Sequence, residues 1–130
     1  MSSITSVGLS GLNDASLRAS NAASNIANAF STSALPASGG TYTGFQPQDV
    51  VSLSAAGGVA STLQPRMPAY LATAGATSPD ANANGLVAAP NVDPGKEMVA
   101  LSSAQFAYGA DAALIRTADR MQKSLLDVVG

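Results

Sequence analysis

The stretch Asp93-Pro94-Gly95-Lys96-Glu97-Met98-Val99-Ala100 opens the segment that decides the fold. Asp93 is placed to cap a helix with its side chain, and Pro94 suits the first helical position, where a missing N–H costs nothing. From Pro94 the pattern predicts one uninterrupted helix to Val129, roughly 54 Å long at a rise of ~1.5 Å per residue. A rod of that length in so short a chain needs a partner.

The apolar spacing says what kind. Ala100, Ala104, Ala107, Leu114, Ala118, Met121, Leu125 and Val128 recur at threes and fours, close to a heptad seam, with Asp111 the one polar residue on it. The first half of the seam is alanine, so another helix can approach closely there. The other side carries Arg116, Asp119, Arg120, Lys123 and Asp127, and Asp119 precedes Lys123 in the favourable i, i+4 order.

The natural partner lies at the opposite end of the chain. Residues 4–28, after possible caps at Ser2 and Ser3, predict a second helix with the stripe Leu12, Ala15, Ala19, Ala22, Ala23, Ile26 and Phe30. Gly8 and Gly11 weaken its first turns by ~1 kcal/mol each relative to alanine, so packing must order them. The helix should stop near Asn25-Ile26-Ala27-Asn28, where asparagine can cap the end or bond a neighbouring backbone. The expected intramolecular seam sets Leu12, Ala15, Ala19, Ala22 and Ile26 against Ala104, Ala107, Leu114, Ala118, Met121 and Leu125.

Between the helices the chain changes character. Six of its seven prolines (Pro36, Pro47, Pro65, Pro68, Pro79, Pro90) lie here, with Gly39-Gly40 and Gly57-Gly58 as breakers. Tyr42 to Phe45, Val50 to Leu53, Val59 to Leu63 and Ala69 to Ala72 are short extended candidates, and Thr73 to Gly85 reads as a loop. The glycine pair between Val50-Val51-Ser52-Leu53 and Val59 makes those two runs a loose hairpin. The expected fold is therefore mainly α: paired long terminal helices, coiled-coil-like, with a Pro/Gly-rich middle holding one small β-hairpin. The expected organisation is one discontinuous terminal-helix domain, 1–30 plus 94–130, and a connector, 31–93.

Composition narrows the function. The chain has 130 residues, 46 % of them hydrophobic, yet only three Phe, three Tyr and no Trp. Alanine buries little area, and burial yields only ~25 cal/mol per Å², so an isolated monomer has a weak hydrophobic driving force. A net charge of −2 with six basic residues lacks the basic stripe that nucleic acid demands. No cysteine and no histidine are present, which removes disulfides, thiolate chemistry, Ser-His-Asp triads and imidazole metal sites. The one glutamate, Glu97, sits where a helix dipole favours a carboxylate, and the seven aspartates are scattered. No enzyme, cofactor, metal or small-molecule substrate is expected. No apolar run is long enough to span a membrane, and Met1-Ser2-Ser3-Ile4 lacks the basic and apolar regions of a secretory signal.

Three stretches together resemble one family. Arg18-Ala-Ser-Asn-Ala-Ala-Ser-Asn-Ile-Ala-Asn28, with its core Ser24-Asn25-Ile26-Ala27-Asn28, resembles the N-terminal signature of the bacterial flagellar axial proteins. Asn84-Gly85-Leu86-Val87 and Pro90-Asn91-Val92-Asp93 are similar to the turn before the last helix in proximal rod proteins of the FlgC type. Glu97-Met98-Val99-Ala100-Leu101, continuing through Phe106, Ala107 and Tyr108 to Leu125, resembles that family's C-terminal helix. The middle matches poorly, and Ala29-Phe30-Ser31-Thr32 departs from the Thr-Pro-Gly-Tyr-like continuation of the wider family. The resemblance implies a terminal-helix domain of the axial-protein D0 type, with Asn25, Ile26, Asn28, Pro90, Asn91, Val92, Glu97, Met98 and Tyr108 as motif or assembly residues. It further implies a structural subunit of the proximal rod in the periplasmic part of the basal body. Its implied partners are copies of itself, other rod and axial proteins and, without a cleaved signal peptide, the type III flagellar export apparatus. The competing expectation is an adaptor or cap that binds the end of a helical assembly through Phe106, Tyr108 and Ile115.

Overall fold

Asp93 starts the last helix as its chemistry predicts, its Oδ1 accepting from the backbone N–H groups of Gly95 and Lys96 at 2.9 and 3.2 Å. The computed structural model describes residues 2–38 and 40–129. In chain order its elements are α1 (Ser2–Asn28), β1 (Gln48–Ala55), β2 (Gly58–Pro65), β3 (Tyr70–Ala74), β4 (Leu86–Pro90) and α2 (Pro94–Val129). The capping side chains expected at Ser2 and Ser3, and Gly39 of the first glycine pair, lie outside the described residues.

The fold is mixed rather than mainly α, which corrects the sequence reading. Helix makes up 48 % of the chain, and four antiparallel strands form two small sheets instead of a single hairpin. The prolines misled, because Pro65 and Pro90 each occupy the last residue of a strand, where a missing N–H leaves the rest of the ladder intact. β1 pairs with β2 from Gln48↔Pro65 to Ala55↔Gly58. The turn between them needs glycine, since Gly57 and Gly58 take φ values of +88° and +144°.

The second sheet pairs β3 with β4, from Tyr70↔Pro90 to Ala74↔Leu86. Sequence reasoning took residues 84–93 as a turn, yet β4 is the most buried strand, with Val87, Ala88 and Pro90 all buried. Just after α1, Ser33 exchanges both backbone hydrogen bonds with Ala88, at 3.0 and 2.9 Å, and so ties the exit of α1 to this sheet. Tyr42 to Phe45 is not a strand. Instead the Tyr42 ring stacks on Tyr70 with centroids 4.5 Å apart, and its hydroxyl donates to the Phe45 carbonyl at 3.2 Å.

The two helices pack antiparallel, the start of α1 against the middle of α2. Gly8 lies so near Ile115 that a Cβ there would come within 2.7 Å of the Ile115 side chain, and Gly11 faces Asp111 in the same way. These glycines, costly for a lone helix, are what allows the helices to close. Among the described residues the buried apolar side chains are mostly alanine, Ala15, Ala22, Ala29, Ala69, Ala88, Ala104 and Ala118, joined by Val87, Pro47 and Pro90. So thin a core gives each side chain little area to remove from water.

Candidate assembly site

α1 has a second working face, and it is polar. Ser10, Asp14, Arg18, Asn21 and Asn25 recur at spacings of four, four, three and four, which puts them in one row along the helix. All five bond the β1–β2 hairpin. Ser10 Oγ accepts from the Val59 N–H at 3.1 Å, and Gly58 abuts the Ser10 side chain so closely that no Cβ would fit. Asp14 accepts from the hydroxyls of Ser52 and Ser61 and from Arg18 Nε, the last at 2.8 Å. Arg18 Nη2 also donates to Ser52 Oγ at 2.7 Å.

Asn25 closes the row. It is 1 % exposed, and its amide imitates a neighbouring strand, donating to the Gln48 carbonyl at 2.9 Å and accepting from the Gln48 N–H at 3.3 Å. Asn21 donates to the same carbonyl at 2.8 Å. Burial works against the charge on Asp14, but the hydrogen bonds from Ser52, Ser61 and Arg18 outweigh it and hold the carboxyl below its ordinary value.

A separate hub joins the hairpin to α2. Arg66, just past β2, donates to Glu97 Oε1 at 2.8 Å and to the Asn91 carbonyl at 3.0 Å, and pairs with Asp49 on β1. Glu97 is 5 % exposed, so its charge rests on this arginine. The bonds to Asp49, and to a lesser degree Glu97, raise the guanidinium pKa against the opposing effect of burial, and Arg66 stays charged at every accessible pH. An open groove of about 500 Å³ lies between hairpin and helices, lined by Asp14, Arg18, Ala22, Arg66, Glu97 and Ala104 among others. Asp14, Arg18, Arg66 and Glu97 in its lining already pair with residues of the same chain. Among the described residues, no three His, Cys, Asp or Glu side chains converge as metal ligands, and no helix is long and apolar enough to cross a membrane.

The structure distributes the sequence-derived residues unevenly. Of the seam set, Ala15, Ala22, Ala104 and Ala118 are buried, Leu12, Ala19 and Ile26 are half-buried, and Ala107, Leu114, Met121 and Leu125 are exposed. Of the motif set, Asn25, Pro90 and Glu97 are buried, while Ile26, Asn28, Asn91 and Val92 are half-buried. Asn28 donates to the Ser24 carbonyl and Asn91 to that of Pro68, each at 2.9 Å. Met98 and Tyr108 face outward at 64 % and 49 % exposure. Sequence reasoning missed Ser10, Asp14, Gln48, Asp49, Ser52, Ser61 and Arg66. The row of polar residues on α1 was the available signal, legible at the same spacing as the alanine stripe beside it.

Two comparisons bear on what such a molecule is. Residues 83–128 match the family described as flagellar basal body rod FlgEFG protein C-terminal. The chain is also similar to the flagellar basal-body rod protein FlgC of Bacillus subtilis, 44 % identical over 52 residues, which is 40 % of this chain and 35 % of that protein. The matched part thus spans about a third of the relative's length. Neither match is to a known enzyme family. Together they support a flagellar rod protein of FlgC type, the family that the motifs at both ends of the chain resemble.

Proposed function

We propose that this chain is a structural subunit of the proximal rod of the flagellar basal body, which assembles with other axial proteins and helps carry torque from motor to hook. One observation carries the reading beyond the family match. A compact monomer of 12.8 kDa exposes about 6,300 Å², whereas this chain exposes 8185 Å². The surplus, about 1,900 Å², is more than twice the ~800 Å² that one partner buries in a standard protein–protein interface, so it is enough for contacts with more than one neighbour. It coincides with large apolar side chains left in solvent, among them Val99, Phe106, Leu126 and Val128. A protein with an alanine core and that much uncovered apolar surface is completed by neighbours.

In this reading residues 1–30 and 94–130 act as one terminal-helix domain packed against adjacent subunits, with 31–93 as its connector. Rod assembly takes place in the periplasmic space after export in an unfolded state. Quantitative mass spectrometry of purified basal bodies tests it. A fixed copy number, together with rodless, non-motile cells on deletion, is the expected result. Full-length rods and normal swimming in the deletion strain would refute it, and variable, sub-stoichiometric amounts would point to an adaptor.

A further inference from the structure

The loop between β3 and β4 ends on Asn84-Gly85, the one Asn-Gly bond in the sequence. Asn13, Asn21, Asn25, Asn28, Asn82 and Asn91 are each followed by a residue whose side chain shields the next backbone nitrogen. Glycine has no Cβ and the widest backbone freedom, so the Gly85 nitrogen is the one best able to reach the side-chain amide of the residue before it. Asn84 is exposed, within reach of water. The reaction open to such a pair is ring closure. The Gly85 nitrogen attacks Cγ of Asn84, the Cγ–Nδ2 bond breaks, and ammonia leaves with the proton that the nitrogen gives up. Water then opens the succinimide ring. Attack at Cγ gives aspartate, and attack at the main-chain carbonyl gives isoaspartate, in which the chain runs through the former side chain and is one methylene longer.

The folded turn holds back the first step. The Gly85 N–H donates to the Asn82 carbonyl at 2.9 Å, and the Gly85 carbonyl accepts from the Gly75 N–H at 2.9 Å. Asn82 Oδ1 accepts from the N–H groups of Asn84 and Leu86 at 2.9 and 3.0 Å, and Gly85 is set at a φ of +70°. The peptide unit between Asn84 and Gly85 is therefore fixed on both sides. Its nitrogen must release the Asn82 carbonyl before it can turn onto the Asn84 side chain. An extended chain imposes no such condition.

We propose that Asn84 is a site of spontaneous deamidation, open in the unfolded chain and closed by the folded β3–β4 turn. The proposal stands on this turn alone and is independent of the rod-subunit reading. Its consequence reaches the core. A methylene added between residues 84 and 85 carries the Gly85 N–H away from Asn82 and puts the start of β4 out of step with the Ala74↔Leu86 register. Val87 and Ala88, 2 and 0 % exposed, come directly after. A chain that stays unfolded too long thus loses the ability to build its second sheet, and a chain that has folded keeps it.

The full chain, held at neutral pH and one temperature with and without denaturant, tests this. Peptide mass spectrometry locates the deamidation, and isoaspartyl methyltransferase labelling counts isoaspartate. Modification should centre on Asn84 and run about tenfold or more slower without denaturant, as set by how rarely the turn opens. Asn82→Ala, with helical circular dichroism matching the parent, should raise the native rate toward the denatured one and leave the denatured rate unchanged. Isoaspartate chains separated after ageing in denaturant, then refolded, should lack hydrogen-exchange protection at the amides of 86–89. Asn84→Asp, which adds the charge without the methylene, should keep that protection. Equal rates in the two buffers, faster modification at another asparagine, an unchanged native rate in Asn82→Ala, or parental protection of 86–89 in the isoaspartate chains overturns the proposal.

Discussion

The two faces of α1 hold the molecule together by different physics. Toward α2 the helix presents small apolar residues, Ala15 and Ala22, each 1 % exposed, and stability comes from close backbone approach. Toward the hairpin it presents Ser10, Asp14, Arg18, Asn21 and Asn25, and the attachment is almost entirely hydrogen bonds. Hydrogen bonds exchange with water and are worth ~0.5–1.5 kcal/mol each, so the hairpin is a directional but modest attachment. Tight alanine packing is unforgiving of volume, and polar attachment is unforgiving of lost partners.

The largest test of that contrast lies outside both faces, at the separate hub that joins the hairpin to α2. Arg66→Ala strands Glu97 in a nearly closed site and should cost about 3 kcal/mol, the low end for removing one member of a buried ion pair. Denaturant melts read it, with Glu97→Gln in the Arg66→Ala background expected to recover part of the loss. Next in size, Ala22→Leu or Ala104→Leu overpacks the helix pair by ~1–3 kcal/mol. Ala107→Leu, at an exposed site, should leave the monomer melt nearly unchanged. Equal losses at Ala22 and Ala107 would mean that the seam is wider than the buried alanines indicate.

Asn25→Ala sharpens the other side. It leaves the Gln48 N–H without its partner, while the Gln48 carbonyl keeps the bond from Asn21, and should cost ~1–2 kcal/mol. Hydrogen exchange should rise across 48–65 while the helix amides near Ala104 keep their protection. The smallest effect is that of pH. Because Asp14 is held below its ordinary value in the folded chain, its contribution is full above the unfolded carboxyl pKa and is lost as pH falls through the folded one. In acid the hairpin amides should lose protection before helical circular dichroism changes, and Asp14→Asn should remove that step.

Much of this architecture is written locally. Asp93-Pro94 marks the start of α2, and the stripes of both helices are legible because their period is set within a few turns. The Gly57-Gly58 pair likewise identifies the β1–β2 turn. What could not be read depends on distant partners. Val87 and Ala88 form a buried strand only because β3 and Ser33 flank them, so Leu86-Val87-Ala88-Ala89-Pro90 looked like the approach to a helix. Glu97 passed as a dipole complement because nothing near it in sequence reveals Arg66. Asp14 passed as one of seven scattered aspartates because its serine partners lie 38 and 47 residues away.

The antiparallel helix pair also sets the order in which structure can appear. Ala15 and Ala22 find their shelter on α2 only after the intervening chain has been closed into a loop, so the native contacts have high contact order. Closure entropy must be met before any of that packing is gained. Until residues 94–129 are available, α1 has no apolar surface to fold against, and its Gly8 and Gly11 weaken it further as a lone helix. A chain passed vectorially through a narrow conduit would therefore stay extended while in transit and acquire its helix pair only once both segments had emerged.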